Sequence, residues 1–389
     1  MSIHALSDYD VCPDRGFLAP FDASHVAAAP GLTEARAMAR SLPARLVAGH
    51  IRNDLEQLTE VDAEAIAAID DDAVLRRALV DYSFMAQAYV WGEAQAPAVL
   101  PACIARPLYQ LASRLDQPPI LTYSQYVLDN WTLLNKDGAI DLENTAIVQP
   151  FLSGEDEAWF ILIHVAIEAQ AAGLFSRVPT AIEAAAAGDR RILVRALTGM
   201  IDAWDRMIAI FDRMPERCDP YIYFQRVRPW IHGWKDNPAL PDGIVYEGVE
   251  AFGGKPQAFR GQTGSQSSIV PLMDAFLGVS HGHDPLRGYL DELHIYRPVG
   301  HRRFIDDVRQ ASRVRGSVRE HANAELTDAY NACLDKLTRF RTRHLEYAAS
   351  YIHKQSRTGD GNSTAVGTGG TPFMKYLKKH RDEARAHQL

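Results

Sequence analysis

Residues Glu325–Ile352 read ELTDAYNACLDKLTRFRTRHLEYAASYI, and their spacing decides the fold class. Leu326, Tyr330, Cys333, Leu337, Phe340, His344, Tyr347 and Tyr351 step by three and four residues. That is one face of a long helix, and it predicts burial against a core. His344 stands inside the stripe, where burial calls for Leu or Ile. A buried imidazole needs a partner, because an unsatisfied polar group costs roughly 1–3 kcal/mol. Two readings follow: a core histidine bonded to a neighbouring carbonyl, or an axial metal ligand, which neutral imidazole suits. Taken alone, the stripe favours the first.

A second histidine raises the same question upstream. In WFILIHVAIEAQAAGLF (Trp159–Phe175) the neighbours of His164 are apolar all round, which predicts a helix buried on every side, at about 156–175. Glu168 lies one turn on and is positioned to hydrogen-bond His164, a structural outcome. The other outcome sets His164 and His344 facing each other across a planar cofactor.

Helical periodicity also runs through LTEARAMARSLPARLVAGHIRNDLEQL (from Leu32), DAVLRRALVDYSFMAQAYVWGE (from Asp72) and YSQYVLDNWTLL (from Tyr123). It continues in an alanine-rich helix ending near Gly188, in ILVRALTGMIDAWDRMIAIFDRM (from Ile192) and in SIVPLMDAFLGV (from Ser268). Strand-like alternation is scarce, and no βαβ order or internal repeat is present. The reading is all-α. The polar stretch NKDGAIDLENTAIVQPFLSGEDE (from Asn135) predicts a boundary between a small helical domain, 1–150, and a large one, 151–389.

The 389 residues carry a net charge of −8, with 47% hydrophobic and 23% charged residues. That gives no electrostatic reason to expect nucleic acid or an anionic membrane. Four scattered cysteines form no CxxC pair, against a zinc knuckle, an iron–sulfur site or a disulfide scaffold. His164 and Glu168 interrupt the longest apolar run before it reaches a membrane span. Asp8 and Asp10 stand where a secretory signal needs an apolar core, so a cytoplasmic location is expected.

Other residues suggest ligand chemistry. Arg228, beside Tyr223 and Phe224 in YFQRVRPW, is either a carboxylate clamp over aromatic rings or a surface arginine with its stem on apolar residues. SRTGDGNSTAVGTGGTPF (from Ser356) reads as a linker or as a binding loop, in which GTGGT and the Thr371 hydroxyl meet a charged ligand. HGH at His281–His283, beside Asp284, looks like a fragment of a metal site, but no further ligand stands at a convincing spacing. No Gly-x-Ser-x-Gly or His-Glu-x-x-His pattern is present.

In this order the chain resembles the indoleamine 2,3-dioxygenase family, from about Gly16 to Lys378. The most specific blocks are PPILTYSQYVLDNW (from Pro118), GWKDNPALPDGIVYEG (from Gly233), GQTGSQSS (from Gly261), RTRHLEYAASYI (from Arg341) and GTGGTPFMKYL (from Gly367). The resemblance implies an all-α fold whose small N-terminal domain covers the distal pocket and whose large domain holds haem b. It makes His344 the proximal iron ligand and Asp274 with Arg341 a charged pair beside it. It assigns Tyr123, Tyr126 and Val127 to the indole pocket, though Tyr126 is bulkier than the small residue expected there. Phe160 and Phe224 match ring-stacking positions and Arg228 the carboxylate clamp. Thr263, Gly264 and Thr371 match loops around the haem propionates and the substrate ammonium. One departure is His164, where animal members usually carry a small distal residue such as Ser. A distal histidine is what the related tryptophan 2,3-dioxygenases use.

The activity implied is cleavage of the indole C2–C3 bond of tryptophan or a related indole by O2, giving N-formyl-kynurenine, with His164 accepting a hydrogen bond from the indole N–H. A haem-dependent oxygenase or peroxygenase acting on a modified indole in secondary metabolism is the alternative. A haem sensor or carrier is disfavoured, since it needs no amino-acid clamp. The expected partners are O2 and the indole, without nucleic acid or membrane, in a monomer or weak homo-oligomer.

Overall fold

The computed structural model describes residues 3–282, 285–357 and 373–389. Helix makes up 62% of the chain and strand 4%, so the fold is all-α. At its centre the helix Arg190–Asp212 packs against Glu155–Phe175 on one side and Ala324–Tyr351 on the other. Local chemistry starts each of them. Asn323 accepts from the Leu326 N–H and Asp189 from the Ile192 N–H, satisfying donors left open in the first turn. Glu155–Phe175 has no capping side chain, but Glu155, Asp156 and Glu157 in its first turn oppose the positive helix end. Glu157 also accepts from the Phe151 and Leu152 N–H groups, at 2.6 and 2.9 Å.

The stripe behaves in two ways along its length. Leu326, Tyr330, Cys333 and Leu337 are completely buried, and the two leucines each contribute roughly 1.5–3 kcal/mol as apolar groups removed from water. Phe340, His344 and Tyr347 continue the same face but are only partly buried. Phe211 packs on Phe340 and Tyr347, with ring centroids 5.2 and 5.0 Å apart. Beyond them the wall opens onto a cavity.

The N-terminal helices Thr33–Ala48, Asp72–Trp91 and Ala102–Arg114 pack on one another around a buried charge group. Asp81 accepts there from both Arg36 and Arg77, which satisfies a carboxylate that could not be left alone in a core.

Two expectations about local structure need correction. The periodic stretch from Leu32 is two helices, Thr33–Ala48 and Ile51–Glu56, because Gly49 turns left-handed with φ +80°. The stretch from Tyr123 is a short π-turn, Ser124–Leu128, followed by the strand Trp131–Leu133. That strand pairs antiparallel with Thr145–Ile147, so the polar segment from Asn135 is a hairpin loop. Asn130 is the physical reason. Its side chain donates to the Gln149 and Tyr126 carbonyls and accepts from the Gln149 N–H, drawing the backbone out of the helix. The membrane expectation is amended too. Glu155–Ala187 is long and apolar enough to cross a membrane by length and composition, and 72% of its most apolar window is buried inside the protein.

One close approach places the site. A Cβ on Gly233 would lie 2.1 Å from the Gly261 nitrogen, and one on Gly261 would lie 2.3 Å from the Gly233 nitrogen. Only glycine lets these two backbones touch. The contact carries the loop 261–268 to the cavity wall.

Candidate active site

Two adjoining cavities, about 750 and 160 Å³, share His164, His344 and Gly264 in their walls. The larger is also lined by Tyr123, Asp274 and Arg341, and the smaller by Phe160 and Thr263. The two histidines come from helices whose sequence separation is large, brought together by the shared packing on Arg190–Asp212.

His164 is held by its own helix. Its Nδ1 lies 2.7 Å from the Phe160 carbonyl, which can only accept, so Nδ1 carries the hydrogen and Nε2 is left as an acceptor. Burial lowers its pKa, partly opposed by that hydrogen bond, so the ring is neutral at neutral pH. The Phe160 ring packs at 4.7 Å from the imidazole and the Tyr123 ring at 6.1 Å, nearly perpendicular.

The expected bond from His164 to Glu168 does not form. Glu168 Oε1 instead accepts from the Tyr123 hydroxyl at 2.9 Å and the Ser267 hydroxyl at 2.8 Å. Burial pushes the Glu168 carboxyl up to about 7, although both hydroxyls favour the charged form. Glu168 therefore ties the Tyr123 turn to the 261–268 loop behind the cavity.

His344 has the opposite surroundings. Burial pushes its pKa down to about 4, with His164 acting in the same direction, and no hydrogen bond contributes. The core-histidine reading required a carbonyl partner, and among the described residues none is bonded to this ring. A neutral imidazole with lone-pair access to a cavity is what a metal ligand requires. Three residues earlier, Arg341 donates from Nη2 to Asp274 Oδ2 at 2.6 Å, and His281 Nε2 is 3.2 Å from the same oxygen. Burial alone would raise the Asp274 carboxyl, but Arg341 and His281 hold it at about 2. Asp274 Oδ1 and Arg341 Nη1 are buried without a partner among the described residues. A large cavity, two neutral imidazoles at its wall and polar groups still unsatisfied fit a flat cofactor gripped by nitrogen.

The remaining expected residues divide. Thr263 Oγ1 accepts from the Ser265 N–H and caps the turn Gly264–Gln266 at the cavity wall. Tyr126, Val127, Phe224 and Arg228 are buried and line neither of the two cavities. Tyr126 reaches the wall through Phe160, 6.4 Å between rings, and Arg228 lies over the Phe224 ring at 5.4 Å. A surface arginine is thereby excluded for Arg228, whose pKa burial lowers to about 10. Thr371 and the GTGGT loop lie outside the described residues, as do His283 and Asp284.

Two features escaped sequence reasoning. Arg297, 2% exposed, donates to the Ser265 and Ser267 carbonyls at 2.8 and 3.3 Å and so fixes the wall loop. His281 meets His380 and Glu383, about a hundred residues on. For Arg297 no local pattern signals the role. For the second, HGH was visible but its partners were not.

Comparison with known proteins gives one answer. The family profile described as indoleamine 2,3-dioxygenase matches residues 5–387. Indoleamine 2,3-dioxygenase 1 of Rattus norvegicus is 32% identical over 361 residues, covering 90% of this chain and 87% of that protein. The indoleamine 2,3-dioxygenase of Saccharomyces cerevisiae is 31% identical, covering 86% and 83% respectively. A Penicillium citrinum protein of the same description, qulI, is 30% identical, covering 97% and 87%.

Proposed function

The chain belongs to the indoleamine 2,3-dioxygenase family and is a haem-dependent dioxygenase acting on indoles, and from that premise we propose that it cleaves the C2–C3 bond of tryptophan to give N-formyl-kynurenine. The observation that carries the reading is the pair His164 and His344, both neutral, at the wall of one cavity of about 750 Å³. His344 is the proposed proximal ligand of haem b, with residues 1–150 as the small domain covering the opposite, distal side. The haem iron supplies the activation of O2 that no side chain provides.

The protein's part is binding, orientation and proton control. His164 Nε2 accepts a hydrogen bond from the indole N–H, a role supported by the Nδ1 bond to Phe160. Phe160 and Tyr123 pack beside the indole, backed by Tyr126 and Val127. Arg228 takes the substrate carboxylate, with Phe224 under its guanidinium. A guanidinium already buried in an aromatic setting binds a carboxylate strongly, because little water competes. Thr263 and Gly264, at the cavity wall, would meet the haem propionates, and the resemblance alone assigns Thr371, outside the described residues, to the substrate ammonium. Asp274 and Arg341 orient the His344 side, as charged neighbours of metal ligands do.

The test is spectroscopic and chemical together. Wild-type protein is expected to show a Soret band and to form N-formyl-kynurenine carrying two labels from labelled O2. His344→Ala is expected to lose the band, and an unchanged band would refute the ligand assignment. A second reading, single-oxygen or peroxide chemistry on a modified indole, is favoured by one observation. His164 is an imidazole where a small residue was expected, and a distal imidazole suits O–O cleavage. A product with a single label, or an unlabelled oxygenated product formed when peroxide is supplied, would select it.

A further inference from the structure

His281, His380 and Glu383 converge on one point at the edge of the site, where His281 and His380 line the larger cavity and none of the three has a part in the proposed chemistry. Each offers one ligand atom, and these atoms lie within 4.8 Å of one another. His281 Nδ1 is 2.7 Å from Glu383 Oε2, and the two imidazole rings stack at 4.0 Å with a 17° tilt. His380 and Glu383 are three residues apart on the helix Phe373–Arg385, so both project from one face. His281 arrives from the segment after the helix Ile269–Leu277.

We propose that these three residues bind a divalent transition-metal ion of the zinc class. His380 is 6% exposed, yet its Nε2 is buried with no hydrogen-bond partner among the described residues. A buried ring nitrogen left open beside a second imidazole and a carboxylate is a donor set awaiting a cation. His281 adds to this. A neutral imidazole has one N–H, but both its nitrogens face carboxylates, Glu383 at 2.7 Å and Asp274 at 3.2 Å. An ion shared between Nδ1 and Glu383 lets Nε2–H donate to Asp274, satisfying both.

The carboxylate is already oriented for the task. Glu383 Oε1 accepts from the Gly282 N–H at 3.3 Å and pairs with Lys379 at 3.5 Å, which leaves Oε2 for the ion. Two imidazoles and one carboxylate select zinc, cobalt or nickel over magnesium or calcium, which prefer all-oxygen sites. A bound ion would join the C-terminal helix to the 281 segment. It would also rest against Asp274, and through it Arg341, on the side of the chain that carries His344.

The test uses haem-loaded protein freed of other metals with a chelator, titrated with zinc chloride in a calorimeter. Wild type is expected to bind one zinc per chain and to melt at higher temperature with it, and magnesium is expected to give neither effect. His380→Ala and Glu383→Gln are each expected to weaken zinc binding more than about tenfold, while keeping the zinc-free melting temperature near that of wild type. If His380→Ala fails to fold, His380→Gln with Glu383→Gln supplies the same comparison. His344→Ala, titrated beside wild-type protein stripped of haem, is expected to retain zinc. Absence of zinc binding by wild type, equal binding by the variants, or loss only in His344→Ala would each overturn the proposal.

Discussion

The two sides of the cavity are built on different plans. On the His164 side one helix supplies both the imidazole and the carbonyl that holds it, four residues away. On the His344 side the ring has no hydrogen bond among the described residues, and its surroundings come from separate segments: Arg341 on its own helix, Asp274 on another and His281 beyond that. A self-contained residue survives rearrangement of its neighbours, whereas a ring steadied by a charged chain depends on every link. Removing the His164 ring should therefore cost little, and breaking the charged chain beside His344 a great deal.

The largest expected effect comes from breaking the charged chain. Asp274→Ala leaves Arg341 buried without its partner and is expected to destabilise the protein by about 3 kcal/mol in urea denaturation. A loss below about 1 kcal/mol would show that the pair is solvated in solution.

The second effect is a pH dependence of opposite sign on the two sides. Glu168 titrates at about 7 in the folded protein, above its ordinary value of 4.5. The folded state therefore binds the extra proton between those values, so the contribution is present below pH 4.5 and is lost as pH rises through 7. The decline amounts to roughly 3 kcal/mol. Glu168→Gln keeps an acceptor for Tyr123 and Ser267 and is expected to flatten that slope in denaturation curves from pH 4.5 to 7.5. An unaltered slope would place the titrating group elsewhere.

Asp274 gives the reverse case. Its value of about 2 lies below the ordinary 3.8, so its contribution is present above pH 3.8 and is lost as pH falls through 2. About 2 kcal/mol is at stake, read as the difference between wild type and Asp274→Asn over that acidic window.

The smallest effect belongs to His164. His164→Ala removes one hydrogen bond to a helix carbonyl and is expected to cost about 1 kcal/mol of stability. Under the tryptophan reading it also relaxes discrimination against 1-methyl-tryptophan by up to about tenfold, measured as the ratio of kcat/KM values. An unchanged ratio would remove the N–H contact.

Legibility in the sequence followed the range of the forces involved. Arg190–Asp212 and Ala324–Tyr351 were readable because apolar period and capping residues act within a few positions, and Glu155–Phe175 and Ile269–Leu277 because their apolar residues are dense over a short span. The break at Gly49 and the turn into Trp131–Leu133 were missed, since periodicity outvoted one glycine and one asparagine. His344 and His164 were visible as polar residues in apolar company. Glu168 was visible as well, yet its partners Tyr123 and Ser267 lie 45 and 99 residues away, beyond any helical spacing rule. Glu383 and His380 were hidden for the same reason. Chain distance, more than residue chemistry, limited the reading.

The touching glycines at 233 and 261 bear on how this protein could be altered. The block from Gly233 to Gly248 holds none of the proposed reactive groups, but it shares a backbone seam with the loop that lines the cavity. Any side chain at either glycine forces the two backbone segments of that seam apart, and Thr263 and Gly264 follow directly after one of them. An engineer randomising the wall loop to admit other ligands can work on the Ser265 side chain, which faces both cavities, but must leave both seam positions untouched.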